Sequence, residues 1–62
     1  MDTRVKFSEV VIGEIFFDEV SGEYWRKENE DYGEIMSGVG GLDKNDRLDQ
    51  FHSDEYVIVE VE

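Results

Sequence analysis

The sequence predicts a mainly β domain, a small antiparallel sheet of four to five strands with at most one short helical turn. Three observations carry this. Tyr56 to Glu62 (YVIVEVE) alternates with period two, placing Val57, Val59 and Val61 on one face and Tyr56, Ile58, Glu60 and Glu62 on the other, as a half-buried strand does. Phe7 to Lys27 holds four of the seven Phe and Tyr residues and the only Trp, arranged around the turn signal Ser21-Gly22. Elsewhere, glycine and acidic residues interrupt apolar runs at strand-like intervals.

A chain of 62 residues is one domain, 1–62. A core of that size rarely supplies more than roughly 3–5 kcal/mol. The usual staples are missing: there is no Cys for a disulfide or thiolate site, and the single His52 cannot build an imidazole cage. Without Cys, and without an apolar run of signal or membrane length, a cytoplasmic protein with no membrane partner is expected.

Taken in order, Met1 to Lys6 is a polar lead-in in which Val5 starts an edge strand. Phe7-Ser8-Glu9-Val10 makes one capped helical turn, after which Val10 and Ile12 are expected to point inward with Phe7. Gly13 precedes a β-branched and aromatic run, the place for a positive φ or a close backbone approach. Glu14 to Asp18 is a strand whose consecutive Ile15, Phe16 and Phe17 leave neither face polar, so it should be covered on both sides or lie in a small barrel.

A four-residue loop, Glu19 to Gly22, returns Glu23 to Lys27 antiparallel, with Phe17 facing Tyr24, Phe16 facing Trp25 and Glu14 facing Lys27. A two-residue turn would set Phe16 and Phe17 against Lys27 and Arg26. The longer loop is preferred because aromatic and opposite-charge cross-strand pairs each contribute roughly 0.2–1 kcal/mol. Glu28 to Asp31 is a solvated acidic break. Tyr32 to Ser37 offers Tyr32, Ile35 and Met36 to a third strand, and Gly38-Val39-Gly40-Gly41 ends it. Leu42 to Asp49 is a loop or one helical turn through Leu42 and Leu48. Phe51 re-enters the core, and Ser53-Asp54-Glu55 turns the chain into the last strand. If Val57-Ile58-Val59 formed an open edge it would favour a homodimer.

The outlying quantity is charge, 17 Asp and Glu against 6 Lys and Arg, a net −11. Such an excess repels itself, keeps a protein soluble and steers it towards basic surfaces, which argues against direct contact with nucleic acid or anionic membranes. Either the charge only solubilises an aromatic-rich domain, or it is the binding surface.

Catalytic and metal chemistry find little support. The glycine run lacks the lysine of a phosphate loop. Counting a calcium loop from Asp43 puts Leu48 where glycine is needed and supplies no final bidentate Glu. A chain this short encloses no cleft for paired glycosidic carboxylates. His52-Ser53-Asp54 are chain neighbours that point different ways and form no triad. The expectation is a non-enzyme with no catalytic residue, no cofactor and no metal.

Phe7-Ser8-Glu9-Val10, Ile12-Gly13-Glu14-Ile15-Phe16, Trp25-Arg26-Lys27, and Phe51 with Asp54-Glu55 before a valine-rich end together resemble a loose group of very small bacteriophage proteins. Their pattern is F-S/D-x-L-x-x-G-x-x-F, an aromatic-x-K, and F-x-x-D-D/E-x-V; the middle of this chain, Glu28 to Asp49, departs from it. The resemblance implies an SH3-like small β-barrel and no catalytic residues. It also suggests an inhibitor that mimics DNA or RNA and blocks a basic, nucleic-acid-binding protein of a bacterial host. Alternate residues on a strand lie about 6.7 Å apart, so carboxylates on one face can stand in for spaced phosphates.

The candidate acidic surface is Asp18, Glu19 and Glu23 at the hairpin loop, Glu28, Glu30, Asp31 and Glu34 in the break and third strand, and Glu60 and Glu62 on the last strand. Tyr24 and Trp25 are candidate aromatic anchors for a partner, and also the material from which the core must be filled. The alternative function is a small structural or adaptor phage protein that assembles through an edge strand and aromatics, its acidity serving solubility alone.

Overall fold

The structure, a computed structural model, describes residues 2–36 and 43–60. It is mainly β: six strands form one antiparallel sheet, β1 (Asp2–Lys6), β2 (Ile15–Asp18), β3 (Glu23–Lys27), β4 (Tyr32–Ile35), β5 (Leu48–Gln50) and β6 (Tyr56–Glu60), in the order β1-β6-β2-β3-β4-β5. The count exceeds the expected four to five because β5 forms where a loop or helical turn through Leu48 was expected. Two 3-10 turns occur, at Phe7–Glu9 and Lys44–Arg47, rather than at most one. Among the described residues β1 does not pair with β5, so the sheet is open. No helix among these residues is long and apolar enough to cross a membrane.

The aromatic hairpin has the anticipated register: Phe16 pairs with Trp25, Phe17 with Tyr24, and Lys27 N–H donates to the Glu14 carbonyl at 3.0 Å. Its loop is built by Asp18, whose carboxylate accepts from the Val20 and Ser21 amides and whose carbonyl accepts from Gly22 N–H. Gly22 closes it at φ 72°, and Gly13 takes φ 95° ahead of β2, conformations that disfavour any residue with a Cβ. The acidic break is a solvated turn held by Asn29, whose side-chain oxygen accepts from the Asp31 and Tyr32 amides.

The core lies on one face of the sheet. Phe7, Val10, Phe16, Trp25, Phe51, Val57 and Val59 are buried together, with Val5 and Ile35 packed against them. Phe51 is the hub, stacked on Phe7 and edge-on to Phe16 and Trp25, with centroids 5.1–5.2 Å apart. The 3-10 turn that delivers Phe7 carries Glu9, which accepts from the Lys6 amide. Lys27 is only 3% exposed and donates through Nζ to the Phe7 and Val10 carbonyls, 2.8 Å each, while lying 4.5 Å from the Phe7 ring centroid.

Several expectations need correction. Ile12 is 58% exposed, because the 3-10 turn ends at Glu9 with Val10 as its extended cap and the turn at Gly13 swings it out. The third strand, expected from Tyr32 to Ser37, ends at Ile35 within the described residues, and Gly33 takes the inward position beside Ile35 while Tyr32 and Met36 are partly exposed. A Cβ at Gly33 would stand 2.8 Å from the Phe51 ring and 3.1 Å from Phe16, so only glycine lets β4 close over them. β2 is covered on one side only, leaving Ile15 exposed on the outer face. The last strand is not an edge: β6 lies between β1 and β2, so Val57-Ile58-Val59 offers no open pairing surface. Ser37 to Leu42, Val61 and Glu62 lie outside the described residues.

Two substitutions check this account by urea denaturation. Lys27→Met keeps the aliphatic stem but removes the Nζ donor to the Phe7 and Val10 carbonyls, leaving the Phe7 carbonyl only its bond from Val10 N–H, and is expected to cost about 2–4 kcal/mol, a large share of what so small a domain has. Gly33→Ala is expected to cost about 1–3 kcal/mol through overpacking against Phe51.

Candidate acidic surface and outer-face groove

The outer face of the sheet follows from strand alternation. Ile15 and Phe17 on β2, Tyr24 and Arg26 on β3, Glu34 on β4, Ile58 and Glu60 on β6, and Asp2 and Arg4 on β1 point away from the core. Onto this face and its loops fall most of the acids singled out from the sequence, but in different states.

Asp18 and Glu34 are buried, 6% and 7% exposed. Asp18 is occupied by the hairpin loop, as described. Glu34 is gripped from both sides, Oε1 2.9 Å from Arg26 Nη2 and Oε2 3.1 Å from Arg47 Nη2, and Glu28 reaches the same Arg26 nitrogen at 2.9 Å. The hydrogen bond that Arg26 donates to Glu34, aided by the charge of Glu28, holds the Arg26 guanidinium above its ordinary range despite partial desolvation. Loss of that charge would require a pH above the usual arginine range, so Arg26 stays cationic through neutral pH. Glu19 pairs with Arg4 at 2.6 Å. Glu23 is half-buried beside the hairpin loop. Thus Asp18, Glu28 and Glu34 serve the fold, and Glu19 is already matched.

Glu30, Asp31 and Glu60 are exposed, with no ion pair to any of them among the described residues. Glu30 and Asp31 sit together on the β3–β4 turn and line a small depression with Ser8, Lys27 and Ser53. Glu62 lies outside the described residues. The two candidate anchors part company. Trp25 is 6% exposed, its indole N–H donating to Ser21 Oγ at 3.1 Å, and it is a core residue. Tyr24 is 57% exposed, one position along the same strand and therefore on the other face.

Tyr24 belongs to a groove of about 470 Å³ on the outer face, lined by Asp2, Glu14, Ile15, Phe16, Phe17, Tyr24, Ile58 and Glu60. Its floor is a row across three strands, Ile58 opposite Phe17 and Phe17 opposite Tyr24, the two rings 5.0 Å apart at 60°. Of its lining, only Tyr24 and Glu60 were singled out from the sequence. Ile15, Phe17 and Ile58 each show the right alternation, but only the pairing of β2 with β6 brings them side by side. No group of His, Asp and Glu among the described residues is arranged to hold a metal ion.

No family model matches the chain, and no curated protein or solved structure matches it either.

The division of the acids has a direct consequence for stability. Glu34→Gln should lower the urea midpoint clearly, because it uncouples two arginines held at one carboxylate. Glu30→Gln should leave stability within about 0.5 kcal/mol of the parent.

Proposed function

We propose that this chain is a non-enzymatic, acidic binding protein, a phage-encoded inhibitor that presents carboxylates in place of nucleic-acid phosphates and blocks a basic, nucleic-acid-binding protein in the host cytoplasm. An SH3-like curl of the sheet belongs to the same reading, supported by the concentration of the core on one face of the sheet. The observation that carries the function is that folding leaves part of the negative charge unused. Glu30, Asp31 and Glu60 stand exposed and outside the ion pairs of the described residues, in a chain with net charge −11. Self-repulsion of that size weakens a small domain, so a use for it beyond folding is the economical explanation.

One observation favours the second reading, an adaptor that assembles through apolar contacts: Val20, Tyr24 and Tyr56 are large side chains more than half exposed. In that case assembly would involve the free edges β1 and β5 or the outer face, and not β6, which has strands on both sides.

Salt separates the two. Exposed charges are screened within about 8–10 Å at physiological ionic strength, so a phosphate mimic should retain a nucleic-acid-handling protein from nuclease-treated bacterial lysate at low salt and release it at high salt. Glu30→Lys, Asp31→Lys and Glu60→Lys together should abolish that capture while the fold persists. Capture that survives both high salt and the triple reversal would refute mimicry.

A further inference from the structure

We infer that the outer-face groove is the contact site for an arginine side chain of the basic partner, stacked on Tyr24 and Phe17 and neutralising the carboxylates of Asp2, Glu14 and Glu60. This rests on the reading of the chain as a binder of a basic protein, and it names where and how that protein is held. Three features converge. The groove has an apolar, aromatic floor formed by Ile58, Phe17 and Tyr24, open enough to leave Tyr24 57% exposed. Its rim carries three acids, and among the described residues its lining includes no lysine or arginine.

The third feature is an electrostatic conflict. Asp2 and Glu60 are direct cross-strand partners on β1 and β6, and like charges placed opposite one another destabilise a sheet. Arg4, two residues along β1 on the same face, is committed to Glu19 at 2.6 Å and does not relieve it. A cation brought by a partner would.

The chemistry selects arginine over lysine. A guanidinium is planar, stacks on aromatic faces, is weakly hydrated and offers paired donors to carboxylates, while its three-carbon stem can lie on Ile15 and Ile58. The groove volume of about 470 Å³ lies within the range of sites that enclose a small ligand. Binding through this site would therefore combine a salt-sensitive contribution with an apolar one.

The test is a titration of the isotope-labelled full chain, followed by nuclear magnetic resonance, with end-blocked tetra-arginine and tetra-lysine peptides at low salt. The expected result is that the largest shifts fall on Phe17, Tyr24, Ile58 and Glu60, with tetra-arginine the tighter ligand. Tyr24→Ala, at an exposed position, should weaken tetra-arginine about fivefold to tenfold and tetra-lysine less. Glu60→Gln should weaken both peptides and at the same time raise the urea midpoint of the free protein, because it removes the repulsion with Asp2. A purely structural role for Glu60 would not produce those opposite effects.

Shifts confined to Glu30 and Asp31, indifference to Tyr24→Ala, or no binding of either peptide would overturn the inference. So would groove resonances that move with protein concentration alone, which would make a second copy the occupant. Lysate capture distinguishes the levels: a basic protein held undiminished by the Tyr24→Ala and Glu60→Gln variants leaves the binding function standing and removes the groove. Arginine binding in the groove with no captured protein does the reverse.

Discussion

The buried ammonium of Lys27 is the constraint on which the rest of the structure depends. A charge 3% exposed is sustained only by strong partners, and here they are the Phe7 and Val10 carbonyls and the face of the Phe7 ring. Those carbonyls belong to the first residue and the cap of a single 3-10 turn, whose one internal bond runs from Val10 N–H to the Phe7 carbonyl. The lysine thus completes the turn, and the turn supplies Phe7, which together with Phe16, Trp25 and Phe51 closes the aromatic cluster. In a chain without disulfides, one cation joins the N-terminal segment to the central hairpin.

That arrangement has a consequence for the opposite face. With the large side chains concentrated on one side of a six-stranded sheet, too few remain to build a second layer, so Ile58, Phe17 and Tyr24 form a lateral row on the outer face, with Ile15 two residues along β2. The acids divide along the same line. Glu34 and Glu28 are consumed by Arg26 and Arg47, Asp18 by its loop, and Glu19 by Arg4, whereas Glu60 meets Asp2 across a strand pair. Acids occupied by the fold and acids outside the ion pairs of the described residues are therefore spatially separate, and Glu60, among the latter, borders the exposed aromatics.

Much of this was legible in the sequence where the signal is local. The alternation of YVIVEVE placed Val57 and Val59 inside. The cost of mismatched cross-strand pairs selected the four-residue loop and with it the Phe16–Trp25 pairing. Gly13 carried its positive φ openly. The failures are equally specific. Tyr32, Ile35 and Met36 were the apolar residues offered to the third strand, but nothing local marked Gly33 as an inward place, where the ring of Phe51, eighteen residues further on, excludes everything but a hydrogen. Trp25 and Tyr24 looked interchangeable as anchors until the strand faces were assigned.

A β-rich domain, its central hairpin, its inward valines and its surplus of negative charge could be read from the chain alone, because these follow from neighbours a few residues apart and from simple addition. Which acids are occupied and which remain, the place of β6 inside the sheet, and the existence of a groove emerged with the three-dimensional arrangement. Each of those depends on residues distant in the chain, Glu34 with Arg47, Phe17 with Ile58, Asp2 with Glu60. Burial and Coulomb energy act on distance in space, which composition and periodicity do not encode.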